Sequence, residues 1–93
     1  MFKVKICGLT RLCDIEAVNI EKPDYVGFVF ADSRRKVTPE LAKELRGKLN
    51  REITPVGVFV DHTIDFILSL LQNGIIDAVQ LHGSEIAGGK THV

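Results

Sequence analysis

The chain has 93 residues, 45% of them hydrophobic and 26% charged, with twelve basic and twelve acidic side chains and no formal net charge. That length admits one small domain, near the size at which buried area only just offsets chain entropy. The even charge balance argues against a nucleic-acid or anionic-membrane footprint, and no apolar run approaches the roughly 18 residues of a membrane span. The start lacks a signal-type segment, so a cytoplasmic protein is expected. Cys7 and Cys13 match neither a disulfide framework, a redox CxxC pair nor a zinc ligand set. No metal and no cofactor is expected.

The run from Phe2 to Cys7 alternates, which puts Lys3, Lys5 and Cys7 on one face of a short strand and Phe2, Val4 and Ile6 on the other. Gly8 follows, and Thr10 is placed to cap a helix to about Ile20 with Leu12, Ile15 and Val18 as its stripe and Cys13 packed on it. Pro23 and Asp24 end that helix, and Tyr25 to Phe30 is rich in strand formers. A polar loop from Ala31 to Val37 leads to Thr38-Pro39-Glu40, a helix start, with Leu41, Ala42, Leu45 and Leu49 as the apolar stripe. A third strand is predicted over Thr54–Val60. Asp61 or Thr63 then caps a third helix that Asn73-Gly74 terminates, and a fourth strand runs from Asp77 to Leu81.

This order, βαβαβαβ without a hairpin signal, predicts an α/β fold with a parallel sheet and right-handed crossovers. Val26-Gly-Phe-Val-Phe30 and Val56-Gly-Val-Phe-Val60 repeat one pattern in successive strands. Two architectures fit: the N-terminal half of a (β/α)8 TIM barrel, with helices on one face, or a flavodoxin-like open sheet with helices on both. The polar face of the first strand favours the barrel, because it suits a lumen that opens toward a site and not a strand between two helix layers. Residues 1–84 form the half-barrel and 85–93 an irregular tail. Gly88-Gly89-Lys90-Thr91 lacks the first glycine of a phosphate loop and the helix that should follow.

Three groups carry candidate chemistry. Cys7 sits at the carboxyl edge of the first strand, where βα loops converge, although free cysteine also serves as a small buried hydrophobe. Asp32-Ser-Arg-Arg-Lys36 offers a guanidinium fork that fits a carboxylate or phosphate, or is a solvated loop. Gln80 and His82 alternate with Val79 and Leu81, so they fall on the face opposite the helices. Asp61 and His62 read as helix entry.

Together these residues resemble the phosphoribosylanthranilate isomerase family. The likeness lies in Lys5-Ile-Cys-Gly-Leu-Thr10, in Ser33-Arg-Arg-Lys-Val37 as the S-x-R-x-V loop, in Val56-Gly-Val-Phe-Val60 and in Gln80-Leu-His-Gly83. It covers about residues 1–84. The resemblance implies a (β/α)8 barrel and an Amadori rearrangement of N-(5-phosphoribosyl)anthranilate to 1-(2-carboxyphenylamino)-1-deoxyribulose 5-phosphate, a step of tryptophan biosynthesis. It implies Cys7 as general base, Arg35 on the anthranilate carboxylate, and Gln80 and His82 along the substrate side of the lumen. The family's general acid, an aspartate on a later strand, and its phosphate site, after the seventh and eighth strands, have no counterpart in these residues. The expectation is therefore a truncated isomerase half, inactive alone, that needs a second half to bind its phosphorylated substrate. The alternative is a non-catalytic half-barrel scaffold or weak binding module. Four strands leave two open edges, so a homo-oligomer is expected, with a two-fold dimer pairing first and fourth strands favoured.

Overall fold

A computed structural model describes residues 3–82 and 91–92. The elements are β1 (Lys5–Cys7), α1 (Leu12–Glu21), β2 (Tyr25–Val29), α2 (Pro39–Lys48), β3 (Thr54–Val60), α3 (Ile64–Gln72), β4 (Ala78–His82) and β5 (Thr91–His92). The sheet runs β1-β2-β3-β4-β5, with the first three pairings parallel and β4–β5 antiparallel. Each crossover leads to the adjacent strand, and right-handed crossovers in one direction place every helix on the same face. A flavodoxin-like sheet needs a switch point where the order reverses. There is none between β1 and β4, so the fold is the N-terminal half of a TIM barrel.

The helix-facing positions Val26, Phe28, Phe59 and Val79 pack with Ile15 and Val18 of α1, Ala42 and Leu45 of α2 and Leu70 of α3 in one core. Its aromatic centre is Phe30 stacked on Phe59, with centroids 5.3 Å apart, and Phe66 edge-on to both. On the opposite face the register aligns Cys7, Gly27, Val56 and Ala78 in one row, and Val29, Val58 and Gln80 in the next. That second face carries no helix and is the lumen side.

Capping follows the expected chemistry in two helices. Thr38 Oγ1 accepts from the Leu41 amide at 3.1 Å with Pro39 opening α2, and Thr63 Oγ1, not Asp61, accepts from the Phe66 amide at 3.2 Å. Gly74 takes the left-handed conformation after α3, with φ of 69°, a geometry that costs glycine nothing. At α1 the expectation fails. Thr10 is not the cap: the helix starts at Leu12 after Arg11, and Asp14 Oδ2 reaches back to accept from the Thr10 and Arg11 amides, both at 3.1 Å. A carboxylate in the first turn that reaches back to the amides before the helix is the second arm of a capping box.

Two burial expectations are corrected. Cys13 is exposed, because Ile15 and Val18 alone carry the buried side of α1. Leu12 is left 45% exposed at the helix entrance. Val4 is 54% exposed, since the strand at this sheet edge is only Lys5–Cys7, and Phe2 lies outside the described residues. Of the tail expected over 85–93, only Thr91 and His92 are among the described residues, and they form a strand.

Polar ties lock the ends of the elements. Arg46 of α2 holds Asp77 at the entrance to β4 through two hydrogen bonds of 2.9 Å. Asn19 of α1 accepts from the Asn50 amide at 2.7 Å and donates to the Lys48 carbonyl at 2.9 Å, fixing the end of α2. Neither tie was readable from pattern alone.

Two glycines divide the steric demands of this fold. A Cβ at Gly57 would stand 2.7 Å from Ile76 Cδ1 and 2.8 Å from the Phe59 ring, whereas a Cβ at Gly47, within α2, would meet nothing within 4 Å. Gly57→Ala is expected to destabilise by about 1–3 kcal/mol through overpacking, and Gly47→Ala to stabilise by roughly 0.5–1 kcal/mol through helix propensity. Urea unfolding of both variants checks the opposite signs.

Candidate active site

Cys7 ends β1 on the lumen side, exposed to solvent. Its neighbour across the ladder is Gly27, where a Cβ would lie 2.6 Å from Cys7 Sγ and 3.3 Å from its Cβ. The thiol therefore occupies the space a side chain on β2 would otherwise fill. The repeated small residue of the second strand, Gly27, is a sulfur seat, while its counterpart Gly57 serves helix packing.

After Cys7 the chain turns at Gly8, with φ of 85°, where its amide donates to the Gly27 carbonyl at 3.0 Å. The Arg35 side chain lies directly over Gly8: a Cβ there would be 2.5 Å from Arg35 Cδ and 3.0 Å from a guanidinium nitrogen. Both the left-handed backbone and the overlying arginine require glycine at this position.

The loop delivers Arg35 by a mechanism visible in its own residues. Ser33 Oγ accepts from the Arg35 amide at 3.2 Å and the Ser33 carbonyl accepts from the Lys36 amide at 3.2 Å, which closes the turn. Val37 then donates its amide to the Val29 carbonyl at 2.8 Å and buries its side chain in the core, 2% exposed. Serine folds the loop, valine anchors it, and the arginine between them is left to cross above the end of β1. The sequence singled out this loop by its charge and by its S-x-R-x-V likeness; the anchoring role of Val37 was missed.

Cys7, Gly8, Arg35, Arg11 and Asp14 line an open pocket of about 290 Å³. Asp14 braces its rim by accepting the Thr10 and Arg11 amides, and its carboxyl is held below the usual value, chiefly by the Thr10 amide and further by the Arg11 amide and guanidinium. A larger cavity of about 580 Å³ lies where α2 and α3 end, lined by Lys43, Arg46 and Arg51 among others. It is at the amino ends of the strands, the face where parallel barrels keep stability and not chemistry. The smaller pocket is therefore the candidate site.

Gln80 and His82 are not brought to this pocket. Gln80 is half-buried on the lumen face in register with Val58. β4 is three strand spacings from β1, about 14 Å at ~4.8 Å each. His82 pairs in register with Val60 at the carboxyl end of β4, and its side chain lies outside the described residues. His62 is packed, stacked on Phe66 with centroids 5.4 Å apart and accepting at Nδ1 from the Val60 amide at 3.1 Å. Asp61 holds a left-handed conformation, φ 53°, at the carboxyl end of β3. Among the described residues no group of three or more His, Cys, Asp or Glu is placed to hold a metal, and no helix is long and apolar enough to cross a membrane.

The comparisons with known proteins agree on one family. A family profile described as N-(5'phosphoribosyl)anthranilate (PRA) isomerase matches residues 4–91. The N-(5'-phosphoribosyl)anthranilate isomerase of Endomicrobium trichonymphae is 52% identical over 85 residues, which is 91% of this chain and 42% of that protein. A crystal structure of phosphoribosyl anthranilate isomerase in complex with reduced 1-(o-carboxyphenylamino)-1-deoxyribulose 5-phosphate superposes with a TM-score of 0.81 at 41% identity, over 92% of this chain and 45% of that one. Monomers generated from a dimeric isomerase of Thermotoga maritima superpose with a TM-score of 0.77 at 42% identity, over 89% and 42% of the two chains. The chain thus spans less than half the length of the relatives it matches.

The lowered Asp14 carboxyl has a defined pH consequence. A folded value below the unfolded one means the unfolded chain binds more protons, so the Asp14 contribution is present above the ordinary carboxylate range and lost as pH falls through the folded value. The expected outcome is that the difference in stability between wild type and Asp14→Asn is largest near neutrality and shrinks on acidification from about pH 4 downward. Urea titrations of the two proteins across that range check it.

Proposed function

The chain belongs to the N-(5'-phosphoribosyl)anthranilate isomerase family, and from that premise we propose that it is the base-bearing half of an isomerase site for phosphoribosylanthranilate. The reading rests on the seating of Cys7 against Gly27 with Arg35 above Gly8. The substrate is a glycosylamine, an N,O-acetal that opens to an iminium when its ring oxygen is protonated. The iminium acidifies the neighbouring C–H, so a modest base within hydrogen-bond reach suffices. Cys7, as thiolate, takes that proton and leaves an enolamine, which tautomerises to the aminoketone. No bond from sulfur to substrate forms. Lys5 lies on the same strand face, a cation beside a group that works as an anion.

Arg35 has a free-standing role in this scheme. Its planar fork matches the anthranilate carboxylate and orients the aromatic end of the substrate above Cys7. By the family resemblance Gln80 and His82 shape the substrate side of the lumen, and β4 comes to face β1 across it only when further strands close the ring. By the family resemblance the proton donor for ring opening and the phosphate site come from later strands. Domain organisation follows the same division for residues 1–84, the half-barrel, while Thr91 and His92 of the expected tail return to β4. The substrate is a soluble phosphorylated metabolite, which fits a cytoplasmic setting, and no cofactor takes part.

General acid catalysis is worth about 10²- to 10⁴-fold, and loss of the phosphate site removes positioning as well. The isolated 93 residues are therefore expected to turn over phosphoribosylanthranilate at background. Mixing them with a polypeptide that supplies the remaining strands of a relative's barrel is expected to raise turnover, and Cys7→Ala to abolish the gain. Turnover at an ordinary enzymatic rate by the chain alone, lost in Cys7→Ala, would overturn the division of roles.

A further inference from the structure

We propose that Thr91–His92 is a strap that holds the outer edge of β4 within the monomer, and that a second copy of this chain takes the same seat with its own β1. The inference goes beyond the isomerase reading and stands on the sheet alone.

β1 to β4 are joined by parallel pairings, and β5 is the one strand that runs against them, placing His92 opposite Val79 and Thr91 opposite Gln80. It lies at the middle of β4, on the row of amides and carbonyls that β3 does not use. An exposed parallel edge is a template for association, and natural sheets cover such edges with short segments. The strap is two residues long, whereas β3 and β4 align over five pairs. So short a ladder opens at far lower free energy than the sheet it caps.

The opposite edge differs. Among the described residues β1 pairs only with β2. Among the described residues, one edge of the sheet is therefore open and the other is covered by the chain itself. A two-fold axis that brings β1 of one copy to β4 of the other makes the same contact twice and closes an eight-strand ring with no free edge. The incoming β1 and the strap need the same outward-facing backbone groups in the Val79–Gln80 stretch of β4, so one excludes the other. The strap thereby sets how tightly the chain associates.

The test combines sedimentation equilibrium at micromolar concentrations with residue-resolved amide exchange. In the wild-type chain at low concentration, the β4 amides turned away from β3 are expected to be protected, and the amides of Thr91 and His92 to lose protection as the dimer forms. The double variant Thr91→Pro/His92→Pro cannot donate these ladder bonds. It is expected to dimerise about tenfold or more tightly than wild type, with β2 and β3 protection unchanged. Unprotected outer β4 amides in the dilute wild-type chain would overturn the strap without recourse to any variant. Unchanged or weaker association of the variant with its β2–β3 protection intact, or polydisperse aggregates in place of a dimer, would overturn the second-copy seat.

Discussion

The repeated right-handed crossover to the adjacent strand governs this molecule. Because no strand is skipped between β1 and β4, the three helices share one face and the other is left without a helix layer. Every later feature depends on that asymmetry. It explains why Val26, Phe28 and Phe59 are buried in the core while Cys7, one register step on from the residue paired with Val26, is exposed on the other side. It also puts the carboxyl ends of the strands, with their loops, at one rim, where Arg35 can cross from the β2 loop to the end of β1.

The same asymmetry locates the apolar surface that remains in water. Ile20 on α1 and Ile64 and Leu68 on α3 are exposed, at 79%, 73% and 44%, whereas α2 between them exposes no large apolar side chain. In a ring of helices each member packs between two neighbours; here the middle helix has both and the outer helices lack one. The distribution is that of an arc taken from a larger ring, in agreement with relatives more than twice as long as this chain.

Much of this was legible because the signals are local. Thr38-Pro39, Thr63 and Asn73-Gly74 each use side-chain or backbone chemistry within one turn, and each does what its residues predict. The barrel was legible through the polar face of the first strand. What escaped was non-local. Asp14 reaching back to the Thr10 and Arg11 amides, Val37 acting as the anchor for Arg35, and Thr91–His92 returning to β4 all depend on which backbone groups come together in space. Cys13 was misplaced for a related reason: periodicity put it on the helix but could not say how far the buried arc extended past Ile15 and Val18.

The central claim is that Cys7 and Arg35 form one site, a thiol under a guanidinium that recognises a carboxylate. It is tested most directly by alkylating the native chain with iodoacetate and with iodoacetamide and comparing the rates at Cys7 and Cys13, both of which are exposed. The account predicts that the rate ratio of anionic to neutral reagent is higher at Cys7 than at Cys13, falls as salt rises, and drops to the Cys13 level in Arg35→Gln. An equal ratio at the two thiols, unmoved by the loss of the arginine, would contradict it.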